Sequence, residues 1–420
     1  MDCEEVRSVC IGDWEVHMAA FLEEHGLTEV INAGGTFTTI GSSSVSPEVV
    51  EAVSDILPRF VRILDLQNMA AGVIRSILGA ESGCVTACSA AGIAVCTAAC
   101  MTGVDLAKVE QLPDTAGMKN EIILQHGHDV FFESSVRQMI RLTGASVRLI
   151  GTTARVGKYH MEAAINERTA AAAYVFSAHS PKHGLVPLEQ FCEIAHAEGV
   201  PVFVDAAAQR DPGAFLEQGA DVVIVSGHKL MAGPTSGIIA GRKDLIRACI
   251  ANQLHGVGRA MKAGKETIIG AVAALERWAQ ADQQVEDDRR RDILEWILEA
   301  LKEIPGISAS IQPRAGVDPV MRARITVDPS IAGLSAYQIS KQLLKRKPPI
   351  VVRAGNAVDE GWFLIDPINL SEALAEVVVQ AIRDVVELSA DEKRRIDSES
   401  SRWPNRADAS ADAITSGWDP

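Results

Sequence analysis

Positive charge is nearly missing from the first thirty residues, where Arg7 stands alone against Asp2, Glu4, Glu5, Asp13, Glu15, Glu23, Glu24 and Glu29. The whole chain carries a net charge of −15 and a sequence pI of about 5.2. Nucleic acid and anionic membranes repel such a chain unless basic residues gather in a patch, so neither is expected as a partner. No basic stretch followed by an apolar segment opens the sequence, which argues against a signal peptide. The longest apolar run, about 90–104, is interrupted by glycine and small residues and is too short to cross a bilayer. A soluble, cytoplasmic protein is expected. No CxxC occurs among Cys3, Cys10, Cys84, Cys88, Cys96, Cys100, Cys192 and Cys249, and no histidine lies between Cys84 and Cys100. The i,i+4 pairs Cys84/Cys88 and Cys96/Cys100 therefore read as small core residues with free thiols, and no metal is expected. No Walker lysine or GxGxxG follows a strand, which weighs against a nucleotide-binding fold. No internal repeat is present.

What is there suits a globular α/β protein. Hydrophobic residues make up 47% of 420 positions, ample for a core and enough for two domains or one large domain with a smaller one attached. From about residue 120 the pattern alternates. Strands are expected at 122–124, 147–150, 172–176, 200–204, 221–225 and 237–240, with helices at 133–143, 161–168, 187–198 and 213–219 between them. Near-continuous apolar strands separated by helices imply a mostly parallel sheet covered on both faces. Helices at 47–60, 69–78 and 90–101 precede this block, and one or two long helices fill 265–303. A smaller α+β unit follows, with strands near 322–327, 350–353 and 362–366. The expected domains are an N-terminal arm to residue 45, a large domain over 46–265, a long helix with a small domain over 266–390, and a disordered tail from 391.

Two strand ends carry the chemistry. The run Val202-Phe203-Val204 ends on Asp205, followed by Ala206-Ala207-Ala208-Gln209, and the strand at 221–225 delivers Lys229 through Ser226-Gly227-His228. In an open parallel sheet the carboxyl ends of the strands form the ligand crevice, so both groups should face one site. A buried acid facing a lysine across a flat ligand is what pyridoxal 5'-phosphate (PLP) requires: the lysine forms a Schiff base, and the acid keeps the pyridine nitrogen protonated. Taken alone, the two residues fit a plain buried ion pair equally well. Cys88-Ser89-Ala90-Ala91-Gly92 adds a helix start made only of small residues, where unpaired N–H groups and the helix dipole suit a phosphate. Small residues there also permit tight helix–sheet packing. Ser226 and His228 could add hydrogen bonds to that phosphate, or His228 could be structural.

Several stretches extend these signals. They are Ile31-Asn32-Ala33-Gly34-Gly35-Thr36, Val204 to Gln209, Ser226 to Pro234, Gly256-Val257-Gly258-Arg259-Ala260-Met261-Lys262-Ala263-Gly264-Lys265-Glu266 and Pro348-Pro349-Ile350-Val351-Val352-Arg353. Over roughly 30–385 the chain resembles the fold-type I PLP enzymes of the selenocysteine synthase (L-seryl-tRNA selenium transferase)/D-glucosaminate-6-phosphate ammonia-lyase family. The resemblance implies the fold-type I architecture, with Lys229 as the Schiff-base lysine and Asp205 on the pyridine nitrogen. It places Ser89, Ala90, Ala91, Ser226 and His228 around the phosphate, with Gln209 also contacting the cofactor. One of His126 and His128 would stack on the ring, and His128 is the choice. Asn32, Thr36, Arg353, Arg259 and Lys262 would bind substrate, Arg353 through its rigid fork on the α-carboxylate.

Family members are homo-oligomers with sites at subunit interfaces, which would let Arg259, Lys262 and Lys265 serve a neighbouring subunit. Arg259, Lys262, Lys182 and Arg155 could bind a sugar phosphate or be solvated helix charges. The resemblance implies Cα deprotonation and β-elimination on an amino acid or amino sugar acid, giving ammonia and a 2-keto acid. Transamination or racemisation is the alternative. A selenium transferase would need a basic grip on tRNA that this acidic N-terminus lacks, and a non-catalytic binding protein would not need both Asp205 and Lys229.

Overall fold

A computed structural model describes residues 20–132, 134–177, 179–181, 183–313 and 321–400. Its strands in chain order are β1 (Ile31–Ala33), β2 (Ser82–Thr86), β3 (Glu121–Gln125), β4 (Ser146–Ile150), β5 (Thr169–Val175), β6 (Val202–Asp205), β7 (Val222–Ser226), β8 (Gly237–Gly241), β9 (Ile307–Pro313), β10 (Met321–Val327), β11 (Ile350–Val352) and β12 (Trp362–Ile365). They fall into two compact units. Gly41–Gln283 makes one, and residues 20–40, Gln284–Pro313 and 321–400 make the other.

The first unit is built on a seven-stranded sheet in the order β2-β8-β7-β6-β5-β3-β4. All neighbours are parallel except β8, which is antiparallel to both β2 and β7. The strands read as unbroken apolar runs because both faces are covered. Val223 and Val225 enter the core on one side, Val222 and Ile224 the core on the other. Helices Ser89–Thr102 and Lys243–His255 contribute to the second of these cores, helices Ile63–Leu78 and Lys265–Gln280 to the first. Cys84, Cys96 and Cys249 lie in the second core as buried thiols, with Cys96 and Cys249 sulfurs 4.0 Å apart.

The second unit holds an antiparallel sheet in the order β12-β10-β9 and a parallel pair, β1 with β11. Helices Gln283–Leu301, Ala336–Leu344 and Glu372–Val386 complete its core.

Several boundaries differ from the sequence reading. Of the expected N-terminal arm, residues 20–40 belong to the second unit, where β1 pairs with β11 far along the chain, and 41–45 belong to the first. The 265–303 stretch, expected as one or two long helices, is two, Lys265–Gln280 and Gln283–Leu301, but Lys265–Gln280 belongs to the first unit rather than to the small domain. Strands β1, β2 and β9 were not anticipated, and the short helix expected at 161–168 lies earlier, at Lys158–Glu162. The stretch expected to begin a disordered tail instead forms helix Ala390–Ser400. Ser389 and Glu392 cap it reciprocally, Ile396 is buried, and the Gln338 side chain donates to Asp397 at 3.0 Å. The remainder of that expectation, 401–420, lies outside the described residues.

Two glycines test the packing in opposite directions. A Cβ on Gly237 would lie 2.3 Å from the Cys88 carbonyl oxygen and 2.5 Å from Thr86 Oγ1, whereas one on Gly72 would meet nothing within 4 Å. Gly237→Ala should lower stability by about 1–3 kcal/mol. Gly72→Ala, inside helix Ile63–Leu78, should raise it by about 0.5–1 kcal/mol. Urea midpoints of the two variants moving in the same direction would contradict this packing.

Candidate active site

The direction of β8 gathers the site. Because β2 and β7 both run antiparallel to β8, they run parallel to each other, and both deliver their carboxyl ends to the same edge. Gly237 sits opposite Thr86 on one side and opposite Ser226 on the other. The start of helix Ser89–Thr102 and the turn bearing Lys229 are thereby neighbours. Asp205 closes β6 on the adjoining strand, in register with Ile224 of β7.

Asp205 is 8% exposed, and its Oδ1 accepts the Ala207 N–H at 3.1 Å. Burial pushes its carboxyl above the usual range, opposed by the charge of Lys229 and by the Ala207 N–H. Lys229 itself is half-buried. His228 is 5% exposed and is pushed down to about 4, first by burial and then by Lys229. Its Nδ1 lies 3.2 Å from Ser226 Oγ, and its buried Nε2 has no protein partner.

Ser89 and Ala90 are half-buried at the helix start, Ala91 is buried, and the Cys88 sulfur caps Ala91 N–H at 3.4 Å. The missing side chain at Gly92 brings this helix against β7, since a Cβ there would be 2.7 Å from Ile224 Cγ2. The glycine-rich run after Gly256 passes the same place: Lys262 bridges Thr86, and the Ala87 N–H donates to the Met261 carbonyl at 3.1 Å. Lys262 and Arg259 are exposed there. Lys265 differs from expectation. Its ammonium donates to the Leu57 and Arg59 carbonyls at 2.5 and 2.6 Å, so it is committed within its own chain.

The two histidines beyond β3 differ in burial. His128 is 2% exposed, accepts the Val175 N–H at 3.4 Å on Nδ1 and packs edge-on against Tyr174 at 4.3 Å. Burial pushes it down to about 3. His126 is exposed at the carboxyl edge. Gln209 is buried and donates to the Phe176 carbonyl at 3.4 Å. Arg155 is exposed, and Lys182 lies outside the described residues.

In the second unit Asn32 folds the chain back on itself. Its Oδ1 accepts the N–H groups of Gly34 and Gly35, each at 3.1 Å, and its Nδ2 donates to the Gly35 carbonyl at 2.9 Å. Gly35 has φ +91° and leaves room for Asp366, whose Oδ2 accepts from Arg322 Nε at 2.7 Å. Thr36 follows, half-buried, and the Arg353 guanidinium stacks on Phe37 at 4.5 Å. Asp366 and Arg322 escaped sequence reasoning because only pairing of distant segments joins them to Asn32, and Phe37 because its partner Arg353 lies far along the chain.

A family model described as L-seryl-tRNA selenium transferase matches residues 30–336. D-glucosaminate-6-phosphate ammonia lyase of Salmonella typhimurium is 37% identical over 369 residues, covering 88% of this chain and 98% of its own. 5'-C-glycyluridine monooxygenase-decarboxylase of a Streptomyces species is 33% identical, over 86% of this chain and 90% of its own. A solved structure of D-glucosaminate-6-phosphate ammonia-lyase matches with a TM-score of 0.80 over 87% of this chain and 98% of its own, at 37% identity. Serine palmitoyltransferase of Sphingomonas wittichii shares the fold at 14% identity, with a TM-score of 0.54 over 85% of this chain and 87% of its own. The architecture is fold-type I.

His128 gives a pH prediction. Its folded-state value lies below the unfolded one, so the unfolded chain binds the extra proton. The stability it contributes is full above about pH 6.5 and is lost as pH falls toward about 3. By pH 5 the loss should be about 2 kcal/mol. His128→Asn should flatten that acid limb in urea midpoints taken from pH 7.5 to 5, and an unchanged slope would show that His128 is not buried neutral.

Proposed function

Because the chain belongs to the L-seryl-tRNA selenium transferase family, we propose that it is a PLP-dependent lyase acting on an amino acid or amino sugar acid. The net reaction is dehydration across Cα–Cβ followed by hydrolysis, releasing ammonia and a 2-keto acid. The carrying observation is the buried Asp205 carboxylate within the field of Lys229 at adjacent strand ends. Identity of 37% across 98% of D-glucosaminate-6-phosphate ammonia lyase supports ammonia release as the outcome.

The residues fit the cofactor. Lys229 alone leaves the Asp205 carboxyl raised by burial, so a second cation such as a protonated ring nitrogen has a place to act. His228 Nε2 is a buried ring nitrogen with no protein partner. With the Ser226 hydroxyl donating to Nδ1, the ring proton sits on Nε2 and is offered to an anion. Ser89 and Ala90 add backbone N–H groups at the helix start, next to the Ala91 N–H that the Cys88 sulfur caps. Once bound, PLP supplies an aldehyde that condenses with amines and a ring that accepts electrons released at Cα.

Lys229 is assigned two tasks, holding the cofactor and then taking the Cα proton on its freed amine. Asp205 holds a proton at the ring nitrogen. His126 replaces His128 as the group stacked on the ring. Arg353 is assigned the substrate carboxylate, its fork kept planar on Phe37. Exposed Leu57, Phe60, Val61, Ile63 and Leu64 form an apolar stretch that supports a homo-oligomer, in which Arg259 and Lys262 serve a neighbouring site.

Purified protein should be yellow, and borohydride should bleach the band and label Lys229. Colourless protein that takes up no PLP would end the cofactor reading. Asp205→Asn should keep PLP yet raise the barrier to Cα–H cleavage by roughly 2–4 kcal/mol, read as deuterium exchange at Cα. Exchange at the parent rate would remove Asp205 from its role. A screen of D- and L-β-hydroxy and sugar amino acids, with and without phosphate, should find ammonia release with the cofactor unchanged. Conversion to the pyridoxamine form would indicate transamination instead.

A further inference from the structure

Among the described residues, only Ser42 (φ +67°) and Ala232 (φ +50°) adopt a left-handed backbone without being glycine. Each such residue costs on the order of 1 kcal/mol and persists only where its surroundings hold it. Both lie against the Lys229 turn. Ser42 Oγ donates to the His228 carbonyl oxygen at 2.9 Å, and Ser43 Oγ donates to the same oxygen at 2.7 Å. That carbonyl belongs to the peptide whose nitrogen is the backbone nitrogen of Lys229. On the far side the Ala232 N–H donates to the Lys229 carbonyl at 3.3 Å, and the Gly233 N–H to Gly227 at 2.9 Å. The peptide planes on both sides of the lysine are thus held.

One donor would satisfy a buried carbonyl. Here both lone pairs are occupied, by two consecutive hydroxyls from a segment 186 residues away, and the buried Ser42 accepts a disfavoured backbone to reach it. We propose that Ser42 and Ser43 are positioning residues for Lys229, fixing the direction in which its side chain leaves the backbone and so the approach of its amine to the reacting carbon. The inference rests on Lys229 being the cofactor lysine.

Ser43→Ala, Ser43→Thr and Ser42→Gly, loaded with PLP, test it. Glycine accepts the Ser42 backbone without strain, so Ser42→Gly removes the hydroxyl alone. A slackened lysine reaches water more easily, which favours its charged form. The pH midpoint of the visible band should rise by roughly 0.5–1 unit in Ser43→Ala and Ser42→Gly. Turnover should fall about tenfold, with KM changed less than about twofold. Ser43→Thr keeps the hydroxyl and should keep the parent midpoint and kcat. Parent-like values in Ser43→Ala and Ser42→Gly overturn the proposal, as does Ser43→Thr behaving like Ser43→Ala. Loss of the melting transition in both hydroxyl-free variants also overturns it, by making the hydroxyls necessary for folding. A parent protein without a visible band is a different failure, that of Lys229 as cofactor lysine.

Discussion

A buried carboxylate that its own chain compensates only in part is the constraint on which this structure turns. Taking Asp205 out of water raises its carboxyl, and Lys229 with one backbone N–H opposes that rise without cancelling it. Removing either partner from a buried charge pair is costly, so the two strand ends must stay adjacent. The sheet arranges this through β8. Reversing that strand turns the connection after β7 into a closed loop, tied at its base by Gly227 N–H on the Ser236 carbonyl at 3.0 Å. A lysine in an open crossover would swing. In this closed loop it is held at the edge where Asp205 ends.

The same reversal explains why the helix at Ser89 belongs to the site. Gly237 stands between Thr86 and Ser226, and any side chain there would strike Cys88 and Thr86. Gly92 removes the corresponding obstacle on the helix. Small residues at the helix start were ambiguous in the sequence between phosphate binding and close packing. The structure uses them for close packing, and it is this packing that brings the backbone N–H groups beside the lysine turn.

Asp205 and Lys229 were legible because each follows an apolar, β-branched strand buried on both faces, a pattern that announces both the element and its carboxyl end. Strand β2 was not, since Ser82-Gly83-Cys84 reads as part of the small-residue stretch leading into the helix. The orientation of β8 leaves no trace in periodicity. Nor does the pairing of β1 with β11, which moves Asn32 out of the expected arm and into the second unit. The helix at Ala390–Ser400 did carry a signal, the Ser389…Glu392 capping pair, outweighed by the polar composition and missing apolar period of the sequence beyond Asp391.

Two histidines with similar burial show what sequence position alone cannot distinguish. His128 and His228 are both held neutral, at about 3 and about 4, by loss of water. Burial therefore says nothing about which one meets a ligand. Their remaining hydrogen-bonding capacity does. His128 spends Nδ1 on the Val175 N–H and packs edge-on against Tyr174, which makes it part of the wall that holds β3 against β5. His228 is braced on Nδ1 by Ser226 and retains a buried Nε2 that no protein group satisfies. An unsatisfied buried polar group costs about 1–3 kcal/mol, a cost that a binding site recovers when a ligand supplies the partner. The distinction rests on one hydrogen bond per ring, and it is the reason a histidine beside the lysine is read as a ligand group while the one beyond β3 is read as structure.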